Sequence, residues 1–383
     1  MSRSETFLIV GGGIAGLTTA SALAQQGFKV TLLEAAPEFG EIGAGLTITP
    51  NAMKGLDFIG ACERVAAAGV EPSKQRFTHW QDGRTLVSID RSTQREKYGA
   101  PYVTIHRADI HEELLAVARE SGVELRANSP VVATEGTTAI LADGTRISAD
   151  CLIGADGVKS VVRQRFGGEP PYFTGHVCWR CLIPVTPEVQ DLSDWPGIII
   201  GPGGMIARYN VRGSSILNLV FFRRQDGWTD DGWTIAADPD ELRRAYAGWC
   251  DDAQRLIEAA AAQPMYKWAI NARRPIPTWI VDGNVTLVGD AAHGMTPFLG
   301  QGATSAIEDG IVLARAMAAS SKVAEGLTRY EKARHERATF IQLESNTNAD
   351  RMQGQDTDLF GIEGMKDEES LGLFHYDPRT VEV

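Results

Sequence analysis

A short apolar run at residues 7–10 ends in Gly11-x-Gly13-x-x-Gly16, and the residues after it read as a helix. No other stretch of the 383-residue chain narrows the possible folds so far. The pieces follow in order: a strand at 7–10, the glycine turn, a helix at 14–26 closed by Gly27, and a second strand at 28–33 ending in Glu34. Gly11 permits a tight turn, Gly13 lets the backbone approach a pyrophosphate, and Gly16 lets helix and strand pack closely. Phosphates then sit on the helix N-terminus beside Ala15, where free N–H groups and the helix dipole favour negative charge. Glu34 stands 18 residues after Gly16, at the tip of the second strand, where a carboxylate accepts hydrogen bonds from ribose hydroxyls. It would repel the 2′-phosphate of NADP, so this motif predicts FAD or NAD and does not choose between them.

Residues 7–23 are apolar and uncharged, which imitates a signal peptide or a short membrane span. The glycines interrupt a continuous helix, so a buried strand and turn explain the run better, and neither a membrane partner nor a membrane span is expected. The formal charge of −12 argues against nucleic acid. Five scattered cysteines imply reduced thiols and a cytoplasmic setting, not a disulfide framework. Cys178-Trp-Arg-Cys181 has redox spacing, but it lies in a strand-like run, where residues three apart point to opposite faces. No metal site is expected.

Two later stretches repeat the strand-to-glycine logic. An apolar strand at 151–153 runs into Gly154-Ala155-Asp156-Gly157, and a strand at 285–288 runs into Gly289-Asp290. After the second comes a loop containing Pro297, then a helix opened by Gln301-Gly302-Ala303, with Ile307, Ile311, Ala314 and Met317 as its core face. Free N–H groups at the start of that helix would stabilise charge on whatever lies before it.

This ordered trio resembles the single-component FAD-dependent aromatic hydroxylases, in the salicylate hydroxylase-like branch, over roughly residues 5–345. The resemblance implies an α/β chain of p-hydroxybenzoate hydroxylase-like fold, a Rossmann-like FAD-binding domain with an inserted antiparallel β-sheet substrate domain. It implies that Glu34 binds the FAD ribose, that Asp156 serves FAD and NAD(P)H, and that Asp290 binds the ribityl–pyrophosphate part. Arg107, in His106-Arg107, matches an FAD-contacting arginine. Val131 matches an adenine-side valine, and Gly45, in Gly43-Ala44-Gly45, a loop near the flavin. NADH or NADPH would reduce the flavin, which with O2 forms a C4a-hydroperoxide that attacks an electron-rich ring.

Between the cofactor segments, residues 75–100 and 172–272 alternate apolar and polar residues and carry aromatics, among them Phe77, Trp80, Trp179, Phe221, Phe222 and Trp268. That pattern predicts antiparallel strands over one side of a cavity, with a helix at 240–262 against them. The expected division is an FAD-binding domain at 1–74, 101–171 and 273–345, a substrate domain at 75–100 and 172–272, and a polar tail at 346–383 on the surface or against a partner. Tyr209 matches a substrate-contacting tyrosine and is the expected catalytic residue; a phenol can hydrogen-bond a substrate phenolate or carboxylate. Arg180, more than Arg208, is the expected carboxylate anchor, with Thr47 and Pro297 also on the substrate side. Met205 stands where some relatives carry a histidine base, and Thr47 and Phe298 replace histidines of the hydroxynicotinate enzymes. His293 is read as packing and not as an acid or base. The expected partners are a small aromatic substrate and O2, in a monomer or homodimer. A flavin oxidase, dehydrogenase or epoxidase acting on a non-aromatic substrate is the alternative enzyme; a colourless binding protein would leave the glycines and Asp290 without purpose.

Overall fold

The computed structural model describes residues 4–40, 43–228, 235–354, 357–360 and 367–383. Two large sheets organise them. The first has six strands, in the order Ile280–Val281, Val285–Leu287, Cys151–Gly154, Thr6–Val10, Lys29–Leu33 and Glu124–Arg126. All neighbours are parallel except the Ile280–Val281 edge. Phe7, Leu8 and Ile9 are buried, as a strand covered on both faces requires. The helices Ile14–Gln25 and Gly302–Ala318 cross so closely that a Cβ on Gly310 would lie 2.9 Å from the Thr19 nitrogen.

The second sheet has eight strands, in the order Ile235–Ala236, Tyr266–Ala272, Tyr172–Pro184, Ile216–Arg224, Gly204–Val211, Gly197–Gly201, Lys74–His79 and Thr85–Asp90. Its residues alternate between two faces. Trp179, Cys181, Ile206 and Phe221 pack with Leu242, Tyr246 and Leu256 of the covering helices. Cys178, Met205, Val220 and Phe222 form the opposite face with Phe77 and Phe298. The two cysteines therefore do diverge, and all five thiols are free and buried.

Several expectations need correction. The sheet is mixed, because Gly197–Gly201 pairs in parallel with Lys74–His79. Residues 75–100 also include a helical turn, Gln94–Tyr98. The helix expected at 240–262 is two, Pro239–Ala245 and Asp251–Ala261. Between them Gly248 takes φ +79, Trp249 packs on Tyr246 at 4.8 Å, and the Cys250 N–H bonds the Trp80 carbonyl at 2.7 Å. Helical periodicity had no way to register that break. The aromatics divide between both faces instead of lining one: Trp179 and Phe221 lie under the helices. The tail is not merely superficial either. The helix Val323–Met352 runs into it, and Phe374 is fully buried with its carbonyl bonded by Lys54 Nζ at 2.9 Å. Residues 355–356 and 361–366 of that stretch lie outside the described residues. No helix among the described residues is long and apolar enough to cross a membrane.

Candidate active site

One cavity of about 690 Å³ runs from the tip of the first sheet to the face of the second. At its first end the turn after Thr6–Val10 is held on three sides. Gly12 donates its N–H to Glu34 Oε2 at 2.7 Å, and its carbonyl accepts from His111 Nε2 at 2.8 Å. The other Glu34 oxygen accepts from the Ala36 N–H at 2.8 Å, so the carboxylate is fixed at the cavity wall with acceptor capacity to spare. A Cβ on Gly11 would lie 2.4 Å from the Ala155 carbonyl oxygen, and one on Gly16 only 1.9 Å from the Gly11 carbonyl oxygen. Gly11, Gly13 and Ala15 line the cavity; Gly16 lies behind them and acts through packing. Arg107, which opens the helix Arg107–Glu120, and Val131 complete this end.

Asp156 belongs to the same wall, yet its carboxylate turns inward. It accepts from Ser160 Oγ and from the Val161 and Val162 N–H groups at 2.7 and 3.3 Å, capping the 3-10 turn Val162–Phe166. Burial raises its pKa, and those hydrogen bonds oppose the shift. Asp290 is different: it is exposed to the cleft, and a Cβ on Gly302 would be 4.0 Å from its Oδ1. The residues before it are pinned from below, since Asp309 Oδ2 accepts from the Gly289 N–H at 2.9 Å and sits 2.6 Å from His293 Nε2. His293 is thus buried and structural. Gly302 and Ala303 line the cavity, whereas the Gln301 side chain points into the core toward Thr49 at 3.4 Å.

At the far end Tyr209, Arg180, Thr47 and Pro297 all reach the cavity, with Met205, Cys178, Phe222 and Phe298 as an apolar lining. Tyr209 packs against Gly45, where a Cβ would lie 2.5 Å from the ring. The Gly45 N–H is taken by Asn218 Oδ1 at 2.8 Å, so this glycine provides space and not a donor. Burial pushes the Tyr209 phenol up to about 12, with Arg180 pulling the other way. Arg180 lies over the Trp268 ring at 4.9 Å, and its buried Nε has no hydrogen-bond partner among the described residues. Arg208, one residue out of phase with Tyr209, is fully buried with its Nε on the Leu192 carbonyl. Sequence reasoning missed Arg91, Tyr102 and Glu368, which also line this end.

A family described as an FAD binding domain matches residues 4–344. The chain is 36% identical over 357 residues to 3-hydroxybenzoate 6-hydroxylase 1 of Aquipseudomonas alcaligenes, covering 90% of this chain and 89% of that one. It is 35% identical over 361 residues to 6-hydroxynicotinate 3-monooxygenase of Pseudomonas fluorescens, covering 91% and 92%. The chain belongs to the single-component FAD-dependent aromatic hydroxylases. Among solved structures, Klebsiella pneumoniae HpxO complexed with FAD and uric acid superposes on this hydroxylase with a TM-score of 0.84 at 25% identity, covering 98% and 96%. A salicylate hydroxylase substrate complex does so with 0.83 at 24%, again over 98% and 96%, which bears on fold alone.

The hydroxylase's own residues fit the flavin dinucleotide. The helices Ile14–Gln25 and Gly302–Ala318 both begin at the cavity without a side-chain cap or an acid in the first turn. Their first N–H groups are orphaned donors that a phosphate or a flavin carbonyl would satisfy. Among the described residues no cluster of His, Cys, Asp and Glu could hold a metal.

Proposed function

We propose that this hydroxylase oxidises a small aromatic or heteroaromatic acid, with NADH or NADPH as reductant and O2 as oxidant. The carrying observation is a single cavity with two uncapped helix starts toward one end and the Tyr209–Arg180 pair at the other. Bound FAD supplies hydride acceptance and oxygen activation; the chain supplies position, charge and dryness. In this reading Glu34 holds the ribose, Arg107 and Val131 flank the adenine side, and Asp290, Gly302 and Ala303 face the ribityl chain and ring. The six-stranded sheet carries the cofactor half and the eight-stranded sheet the substrate half.

Arg180 anchors the substrate carboxylate, assigned by its place on the cavity face of its strand beside Cys178, with a buried Nε that has no partner among the described residues. Tyr209 hydrogen-bonds the ring hydroxyl and stabilises negative charge there as the phenol loses its proton. Met205 cannot take that proton, so it leaves through Tyr209 or through water. The apolar wall of Phe222, Phe298 and Cys178 excludes solvent. The names of the relatives, which specify hydroxybenzoates and a hydroxynicotinate, support this substrate class.

Tyr209→Phe should lower kcat/KM for hydroxylation by about 10–100-fold, the worth of one hydrogen bond to a charged group, with FAD content unchanged. Product and peroxide measured alongside NAD(P)H consumption test this; full turnover in the variant removes Tyr209 from the chemistry. Arg180→Met should raise KM for a carboxylated ring by about 10-fold or more while leaving its decarboxylated analogue unaffected. Equal effects on both would displace Arg180 as the anchor.

A further inference from the structure

Of three consecutive acids in the C-terminal segment, Asp367 and Glu368 line the substrate end of the cavity, and each of the three is engaged differently. Glu369 is fastened from outside by Lys97 Nζ at 2.6 Å, the Tyr98 hydroxyl at 2.7 Å and Arg91 at 3.1 Å. Asp367 caps the following turn by accepting from the Ser370 N–H at 2.8 Å. Glu368 is left on the cavity wall, with Oε1 3.3 Å from an Arg91 nitrogen and the Tyr102 phenol beside it.

Arg91 has little to offer a ligand. Its side chain is 1% exposed, it lies over the Tyr102 ring at 4.5 Å, and it bonds Gln75 Oε1 at 3.1 and 3.3 Å as well as the two glutamates. Glu368 keeps acceptor capacity, because a carboxyl group has several lone pairs and Arg91 and Tyr102 occupy only some of them. A largely buried acceptor on the cavity wall favours a ligand that donates to it and disfavours one that leaves it unmet.

We propose that Glu368 is a specificity-determining residue, accepting a hydrogen bond from an amino, hydroxyl or ring N–H donor on the aromatic substrate. The inference rests on the aromatic-acid reading above and narrows it to rings that carry such a donor besides the anchored carboxylate. A second carboxylate facing Glu368 is excluded by like charge. Asp367 and Glu368 thereby form part of the binding wall, and Glu369 anchors them through groups outside the cavity.

The test is titration of the FAD-loaded enzyme, followed by flavin absorbance. The matched probes are 3-aminobenzoate against benzoate, and 3-hydroxybenzoate against benzoate. Wild type should prefer the donor-bearing member of at least one pair by about 10-fold or more. That preference should fall below about threefold in Glu368→Leu and to an intermediate value in Glu368→Gln, which keeps one acceptor oxygen. A purely structural role would weaken both members of a pair alike. Should Glu368→Leu lose its flavin, Glu368→Gln carries the comparison. No preference in wild type, or one unchanged in the variants, overturns the assignment of Glu368 and leaves the aromatic reading intact. If no aromatic probe perturbs the wild-type flavin or stimulates NAD(P)H consumption, the aromatic reading falls and this inference with it.

Discussion

Gly11→Ala should purify without flavin. The residue sits at φ +107, a conformation that strains any L side chain by about 1–2 kcal/mol before contacts are considered. Its new Cβ would meet the Ala155 carbonyl oxygen at 2.4 Å, the carbonyl carbon at 2.7 Å and the Asp156 Cα at 2.9 Å. All three are backbone atoms of the second cofactor segment, so no side chain can rotate away. Either the first turn or the end of Cys151–Gly154 has to move, and the N–H groups beside Gly13 move with it. Gly157→Ala is the control: φ is +73, but nothing lies within 4 Å of its Cβ. It should keep FAD at a penalty of about 1 kcal/mol. The absorbance ratio of flavin to protein decides the matter, and Gly11→Ala emerging fully loaded would contradict the assignment.

Asp309→Ala should produce the largest loss of stability. Asp309 and Glu308 are fully buried and share Arg334, whose Nε lies 2.9 Å from Asp309 Oδ1 and whose NH1 bonds Glu308. Arg337 and Asn51 complete the Glu308 shell at 3.0 and 2.7 Å. Breaking a buried charge cluster by deleting one member costs about 3–5 kcal/mol, or roughly 4–6 °C in Tm for a chain of this size. Flavin retention should weaken too, since the Gly289 N–H loses its acceptor. The cluster also sets a pH limit. Burial pushes both carboxyls up, but the Arg337 and Arg334 charges on Glu308, and His293 and Arg334 on Asp309, outweigh it and leave both pKa values lowered. A lowered folded pKa means the stabilisation is complete above the unfolded values near 4 and declines as pH falls below them. Thermal melts of both proteins between pH 3 and 7 should therefore converge toward the acid end; a constant gap would exclude the Asp309 carboxylate as its source.

The cofactor end was legible because its elements are local: Gly11, Gly13 and Gly16 act within one turn, and Glu34 follows on the next strand. Strand parity also separates Arg180 from Arg208. Met205 and Tyr209 share a face of Gly204–Val211, so Arg208 has to point the other way. The substrate end was harder: Thr47 was legible through the resemblance alone, and Arg91, Tyr102 and Glu368 stand in no recognisable local pattern. Burial of Phe374 was hidden for a related reason: a few apolar residues in a polar segment have no period to betray which face they cover. The break at Gly248 depended on Trp249 finding Tyr246, a tertiary event.

The parallel join between Lys74–His79 and Gly197–Gly201 has a consequence for synthesis. Phe77 cannot acquire its neighbour Ile198 until more than a hundred further residues have left the ribosome. Until then both edges of the hairpin 74–90 are open, and the strand that later joins carries Lys74 and Arg76, charges of the kind that discourage premature pairing with another nascent chain. Late closure of a non-local contact is slow. The step that completes the cavity wall is therefore also among the last pairings the sheet can make.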